Sequence, residues 1–164
     1  MSWPTIHPAE VPEPPVAAHL RLEPLHPRHN ERDHAAWTSS IDHITATPGF
    51  GDGTWGDDRW PFEMDAAANL GDLEMHWCEF ERGEAYAYSV LDPGSDDVIG
   101  CVYVDPDVTD RVDDGVPRSM VRSWVRATHA DLDAELVEVV DTWLATAWPF
   151  AEVRWPGRDV TRRG

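Results

Sequence analysis

Residues 118–150 read RSMVRSWVRATHADLDAELVEVVDTWLATAWPF and hold the most regular patterning in the chain. Met120, Arg122, Trp124 and Arg126 alternate with Val121, Ser123 and Val125, the period of two that a β-strand imposes on its side chains. Past a short polar turn, Leu132, Leu136, Val139, Val140, Trp143, Leu144 and Ala147 recur at helical spacing, with Glu135, Glu138 and Asp141 opposite them. Thr128 and Asp131 are spaced as a capping box, which predicts a helix beginning near His129. A strand that delivers its backbone to a helix N-terminus builds a corner where free amides and the helix dipole favour an anion.

Working upstream, residues 98–104 (VIGCVYV) form a continuous apolar run suited to a central strand, and Gly100 within it predicts a bulge or the close approach of another group. Residues 84–91 alternate Tyr86, Tyr88 and Val90 with Ala87 and Ser89. The turn DPGSDD at 92–97 joins the two runs as a hairpin. An acidic connector with five aspartates over residues 105–116 leads to the segment quoted first. Leu70, Leu73, Trp77 and Phe80 predict a helix over residues 65–82. A strand over residues 19–25 carries Leu20, Leu22 and Pro24. Pro27, Asn30 and Asp33 open one helix that turns Trp37, Ile41 and Ile44 inward until Thr47, Pro48 and Gly49 stop it. A short strand over residues 151–155 closes the series.

The order strand, helix, helix, strand, strand, strand, helix, strand packs as a mixed sheet with helices on its faces. One α/β (α+β) domain over residues 19–156 is expected, between a proline-rich tail at 1–18 and a polar tail at 157–164. The first tail has five prolines, with Trp3 and Ile6 as its only candidates for docking.

The chain has 164 residues, 31 of them acidic and 13 basic, with no lysine and a formal charge of −18. Such a balance disfavours phosphate backbones and anionic membranes, so neither a nucleic-acid nor a membrane partner is expected. Only Arg158, Arg162 and Arg163 gather positive charge. The acidity fits either a high-GC genome or a salt-adapted proteome. No basic, apolar leader opens the chain and no window reaches membrane-spanning length, so a cytoplasmic location is expected. Cys78 and Cys101 lack CxxC spacing and read as core thiols. His26, His29, His34 and His43, with Asp33, match no metal-ligand spacing and read as surface and capping groups, so no metal is expected. There is no GxSxG elbow, P-loop or GxGxxG.

Residues 50–64 (FGDGTWGDDRWPFEM) form a long loop of glycine, aspartate and aromatic residues. Phe50, Trp55, Trp60 and Phe62 are candidates to line an apolar slot for a substrate amine, with Asp52, Asp57 and Asp58 at its mouth. The alternative is that these rings fold back to cap the core.

The element order, with EAYAYSVLDPGSDDVIGCVYVDP followed by RSMVRSWVRATHADLDAELVEVV, resembles the GNAT superfamily of N-acetyltransferases. The chain looks like a short, divergent member lacking the family's last helix and strands. The resemblance spans residues 20–155. It implies a mixed, mostly antiparallel sheet and transfer of acetyl from acetyl-CoA, as co-substrate, to a small amine or a protein amine. It also implies that the strand containing Trp124, Val125 and Arg126 splays from its neighbour and holds the pantetheine arm. The family's Q/R-x-x-G-x-G/A turn falls on His129, Leu132 and Ala134. Here His129 replaces the family's cation or amide, Leu132 replaces a glycine, and Asp131, Asp133 and Glu135 bring carboxylates near a diphosphate. Direct attack of an amine on the thioester needs a base, for which Asp105 and His129 are the candidates, and an acid for the leaving thiolate, for which Tyr103 is one. The alternative is a non-catalytic GNAT-fold binding module. A homodimer that supplies the missing strands is the oligomeric form the resemblance leaves open.

Overall fold

Strand β1 (Arg21–Pro24) is followed by α1 (Asn30–Thr38), α2 (Ile41–Thr45) and α3 (Ala66–Arg82), then by β2 (Tyr86–Leu91), β3 (Val98–Pro106), β4 (Arg118–Val125), α4 (Asp133–Ala147) and β5 (Glu152–Arg154). These elements come from a computed structural model that describes residues 3, 6, 8–51, 60–107 and 114–160. The strands form one sheet in the order β1-β2-β3-β4-β5. Every pair is antiparallel except β4 with β5, which is parallel. The mixed, mostly antiparallel sheet flanked by helices is as the sequence predicts.

Two apolar layers hold the sheet. Leu136, Val140, Trp143 and Leu144 of α4 pack with Val102, Val104, Val121 and Val125 on one face. On the other face Trp37, Ile44 and Leu73 pack with Cys101 and Trp124. Cover on both faces explains β2, where all six residues are buried. It also corrects the polar face expected of α4. Asp141 is buried and accepts a hydrogen bond from Trp155 Nε1 at 3.0 Å. Ala147, expected inside, is exposed.

The expected helix from Asn30 to Thr47 is two helices, broken at Ser39 and Ser40. Both serines turn their hydroxyls to backbone groups: Ser39 Oγ donates to Ala36 O at 2.8 Å, and Ser40 Oγ accepts from Ala127 N at 2.9 Å. Side chains of this kind compete with the helical ladder. By contrast α3 starts and ends as its residues dictate, with Asp65 accepting from Ala68 N at 2.8 Å and Gly83 in the left-handed region at φ 66°. Gly100 meets both expectations placed on it. The β2–β3 register shifts at Val90 and Leu91, and a Cβ on Gly100 would lie 2.4 Å from Trp124 O. Cys78, read from sequence as a core thiol, is exposed, whereas Cys101 is buried. Trp3 docks: it lies 5.9 Å from Tyr86 and 5.2 Å from Phe150 between ring centroids, and its Nε1 donates to Gly83 O at 2.9 Å. Among the described residues no helix is long and apolar enough to cross a membrane.

Of the histidines read as surface or capping groups, His26 is a cap, accepting from Arg28 N at 3.1 Å, but His29 is fully buried. Its Nδ1 accepts from His26 N at 3.2 Å and lies 3.0 Å from Ser89 Oγ, which assigns the proton to Nε2. Nε2 has no hydrogen-bond partner and sits 3.9 Å from Glu23. Burial pushes the ring down from 6.5 to about 4, with Arg28, Arg32 and His26 acting in the same sense and Glu23 against. A depressed histidine binds protons more readily unfolded than folded. Its contribution is therefore complete above pH 6.5 and is lost as pH falls from there to about 4. Burial raises Asp33 and Asp105 to about 6, and they contribute the opposite slope, so the wild-type profile alone does not isolate His29. The stability gap between wild type and His29→Gln, measured by urea unfolding, is expected to narrow steadily between pH 6.5 and 4. A constant gap would assign the acid sensitivity elsewhere.

Candidate active site

Strands β4 and β5 pair only where Arg118, Ser119 and Met120 meet Glu152, Val153 and Arg154. Beyond Met120 the two chains part. Arg126 N donates to Ile99 O at 2.8 Å, so the even-numbered backbone groups of β4 face β3 and the odd ones face the open side. Past this pairing the edge belongs to Ser123 and Val125, and the Ser123 carbonyl is taken by a side chain of the C-terminal segment. Ser123 Oγ is buried there without a partner.

The chain's own segment after β5 turns back across this edge. Gly157, at φ 72°, packs on Pro48. Arg158 Nη2 donates to Ser123 O at 3.3 Å, and the same guanidinium makes a fork with Asp133 at 2.7 and 2.9 Å. Helix α4 begins at Asp133, with a 3-10 segment over Ala127–Leu132 before it and no side-chain cap. The expected Thr128–Asp131 capping box does not form. Thr128 Oγ1 lies 2.8 Å from His129 Nδ1 instead. Ala134 lines a groove of about 720 Å3 with Val137, Asp141 and Arg158, and Leu132 is half-buried against the α4-side core. Trp124 and Val125 are buried, while Arg126 reaches Ser39 Oγ at 3.4 Å.

Side chains on the other face come from the β3–β4 pairing, which sets Tyr103 opposite Arg122 and Asp105 opposite Met120. Tyr103, Asp105, Arg122 and His76 surround a recess of about 50 Å3. It adjoins a cavity of about 210 Å3, shared through Tyr103, Arg122 and His76 and lined also by Asp33, Trp37, Trp60, Asn69 and Asp72. Burial raises Asp105 to about 6, with the Arg122 guanidinium pulling it down. Burial also drives Tyr103 well above its ordinary value, so it is a neutral phenol at all working pH. Its oxygen accepts from Trp124 Nε1 at 3.1 Å. Arg122 lies 4.8 Å from the Tyr103 ring centre and 5.0 Å from that of Phe50.

The three candidates for acid–base chemistry are thus divided. Tyr103 and Asp105 share one recess. His129 lies three residues past Arg126, which is six residues along β4 from the partner of Asp105, or about 20 Å at the rise of a strand. Among the aromatic candidates, Phe50 is buried against Trp60 and Tyr103 at 5.8 and 6.2 Å, and Trp60 lines the cavity. Phe62 is 51% exposed. Trp55 lies outside the described residues. Asn69 and His76 line the site without having been singled out from sequence, and Arg122 and Arg158 were noted there only for strand alternation and for positive charge. Asn69 had a legible signal, a polar residue one turn before Leu73 on an apolar stripe. The role of Arg158 had none.

No family model matches the chain, and no curated protein matches it by sequence. Solved structures do match by fold. RimL, described as a ribosomal L7/L12 alpha-N-protein acetyltransferase in complex with coenzyme A, superposes with a TM-score of 0.61 at 11% identity, covering 83% of this chain and 69% of that one. A ribosomal-protein-S5-alanine acetyltransferase from Vibrio fischeri gives 0.57 at 12% identity, over 80% and 67%. A GNAT-family acetyltransferase from Bordetella pertussis gives 0.55 at 15% identity, over 81% and 71%. The fold is that of the GNAT acetyltransferases. The chain spans about two thirds of the length of these neighbours.

Proposed function

We propose that the protein is an acetyl-CoA-dependent N-acetyltransferase acting on an amine. The observation that carries this reading is the open edge of β4 beyond Met120, with the orphaned Ser123 hydroxyl beside it, backing onto the recess of Tyr103 and Asp105. Strand groups left without a neighbouring strand suit the amides of a pantetheine arm, and Ser123 and Val125 would hold it once Arg158 gives up the Ser123 carbonyl. Acetyl-CoA, when bound, supplies an activated thioester carbonyl. Asp105 is the base that accepts the proton of the attacking amine, and its pKa near 6 leaves it ionised at neutral pH. Tyr103 is the donor to the departing thiolate and is reprotonated by the Asp105 carboxyl that shares its recess, so that one proton passes from amine to thiol. His129 is too remote to share this work and belongs with Leu132 and Ala134 at the turn beside the diphosphate. Phe50 and Trp60 wall the acceptor side, and Trp124 fixes the Tyr103 oxygen.

Two features of the cofactor edge run against tight binding. Arg158 already holds Ser123 O, and Asp133 puts a carboxylate at the first turn of α4. A like-charge contact near a diphosphate costs about 2–3 kcal/mol at 6 Å and an effective dielectric of 20. Replacing both, Asp133→Ala with Arg158→Ala, frees the carbonyl and removes the like charge. Calorimetric titration is expected to show coenzyme A binding the double variant about tenfold tighter than wild type. Absence of binding to both proteins at millimolar ligand would remove the acetyltransferase reading. The occupied edge would then favour the second reading, a GNAT-fold module that binds a partner without catalysis.

A further inference from the structure

We propose that the aromatic layer on the α4 side of the sheet is a docking surface for a proline-rich segment of another protein, in the polyproline II conformation. The chain's own residues 11–17 lie against that layer as an exchangeable strap. Binding there does not depend on acetyl transfer.

Across residues 11–17 (VPEPPVA) the backbone is neither helix nor strand, and burial repeats every three residues. Val11 and Pro12, then Pro14 and Pro15, then Ala17 are half-buried, while Glu13 and Val16 face outward. Three residues per turn is the period of polyproline II. The strap follows a row of rings. Trp3 packs on Tyr86 and Phe150, and Ile6 N donates to Tyr86 Oη at 3.2 Å. Val11 and Ala17 pack against the same core. Burial raises the Tyr88 phenol, and Tyr86 and Glu13 are close enough to act in the same sense. At the far end His19 Nδ1 lies 3.2 Å from Glu135 of α4. The row is continuous: Phe150 stacks on Trp148 at 5.5 Å, Trp148 meets Trp143 at 5.5 Å, and Trp143 meets Tyr88 at 5.2 Å.

The hydrogen bonding of that row selects the ligand. Trp143 Nε1, Trp148 Nε1 and the Tyr88 hydroxyl are buried, and none has a hydrogen-bond partner among the described residues. The three residues are at most 5% exposed. Indole N–H groups and phenols ordinarily find an acceptor when buried. An indole N–H can only donate, so the complementary ligand brings acceptors and few donors. A proline-rich segment meets that description, because polyproline II makes no internal hydrogen bonds and each proline lacks an N–H. Aromatic-lined grooves take such segments because they are already ordered before binding. The chain's own strap packs against this core yet leaves the three donors unused, so a segment that offers them carbonyls has the advantage over it. The charge of −18 favours a segment flanked by basic residues.

The full chain is titrated, by fluorescence anisotropy, with a labelled decaproline flanked by arginines. A Gly-Ser peptide of the same length and charge is the control. Trp3→Ala removes the strap's ring anchor and its bond to Gly83 O. It is expected to tighten decaproline about tenfold over wild type, because the strap competes less well. Tyr88→Phe removes one donor and is expected to weaken decaproline about threefold, while the thermal midpoint holds or rises because the hydroxyl made no bond in the free chain. A merely structural tyrosine would leave the peptide affinity unchanged. Should Trp3→Ala fail to fold, Pro12→Gly, Pro14→Gly and Pro15→Gly together loosen the strap without touching the rings and should tighten decaproline in the same way. Decaproline binding no better than the Gly-Ser peptide, both to wild type and to the loosened strap, would overturn the proposal. So would an unchanged affinity in folded Tyr88→Phe. Dimers of Trp3→Ala in light scattering without peptide would overturn it too, by assigning the surface to the strap of a second copy.

Discussion

Gly100→Ala is expected to lower the thermal midpoint by about 6–12 °C. The added methyl would lie 2.4 Å from Trp124 O and 3.3 Å from Val125 Cα, both backbone atoms of the strand paired with β3. A flexible side chain could swing away, but a ladder carbonyl moves only if the two strands separate. Overpacking of this kind costs about 3 kcal/mol at the upper end of its usual range. In a chain of this size each kcal/mol is about 2–4 °C. Gly71→Ala is the matched control. It lies within α3 with nothing within 4 Å of the new methyl, so helix propensity alone acts and the midpoint should rise slightly. Equal shifts for the two variants would mean that the β3–β4 spacing at Gly100 is not the constraint described. Because the substituted strand runs on to Tyr103 and Asp105, the alanine variant should also lose activity at temperatures where it remains folded.

Asp105→Asn is expected to lower kcat/KM for acetyl transfer by about 10²–10⁴, the range of a general base. In wild type the rate should fall tenfold per pH unit below about 6, where the carboxyl takes a proton. In the variant this limb should vanish, and its disappearance distinguishes lost chemistry from lost packing. Stability gives an independent check with the sign worked out. The carboxyl is at about 6 folded against 3.8 unfolded, so its favourable contribution is complete below 3.8 and is lost as pH rises through 6. The asparagine variant should therefore gain on wild type between pH 4 and 7. A variant that kept the acid limb would transfer the base to another group in the recess, and His76 is the one that lines it.

The sheet was legible because its strands alternate or run apolar over their whole length, and because DPGSDD can hardly be anything but a turn. Less legible were places where a side chain serves a tertiary purpose against its local pattern. Asp141 sits on the acidic stripe of α4, yet Trp155, fourteen residues on, takes its oxygen as an acceptor. The helix that spacing drew from Asn30 to Thr47 is cut because Ser40 is needed by Ala127, 87 residues away. The recess of Tyr103 and Asp105 could be foreseen in part, since both project from the same side of β3. Arg122 joins them only through the register with β4, which no local pattern encodes. Arg158 is less accessible still, because its role depends on a chain reversal after β5.

The three hydrogen bonds of Asn69 have a mechanical consequence. One side chain on α3 grips Asn30, Asp33 and Trp37, so its grip extends over two turns of α1. Helices α1 and α3 are therefore cross-linked through one side chain, and the chain leaves α1 at Ser39 and Ser40 just beyond that cross-link. Asn69→Ala would remove all three bonds at once and is expected to loosen the wall that Asp33 and Trp37 give the cavity.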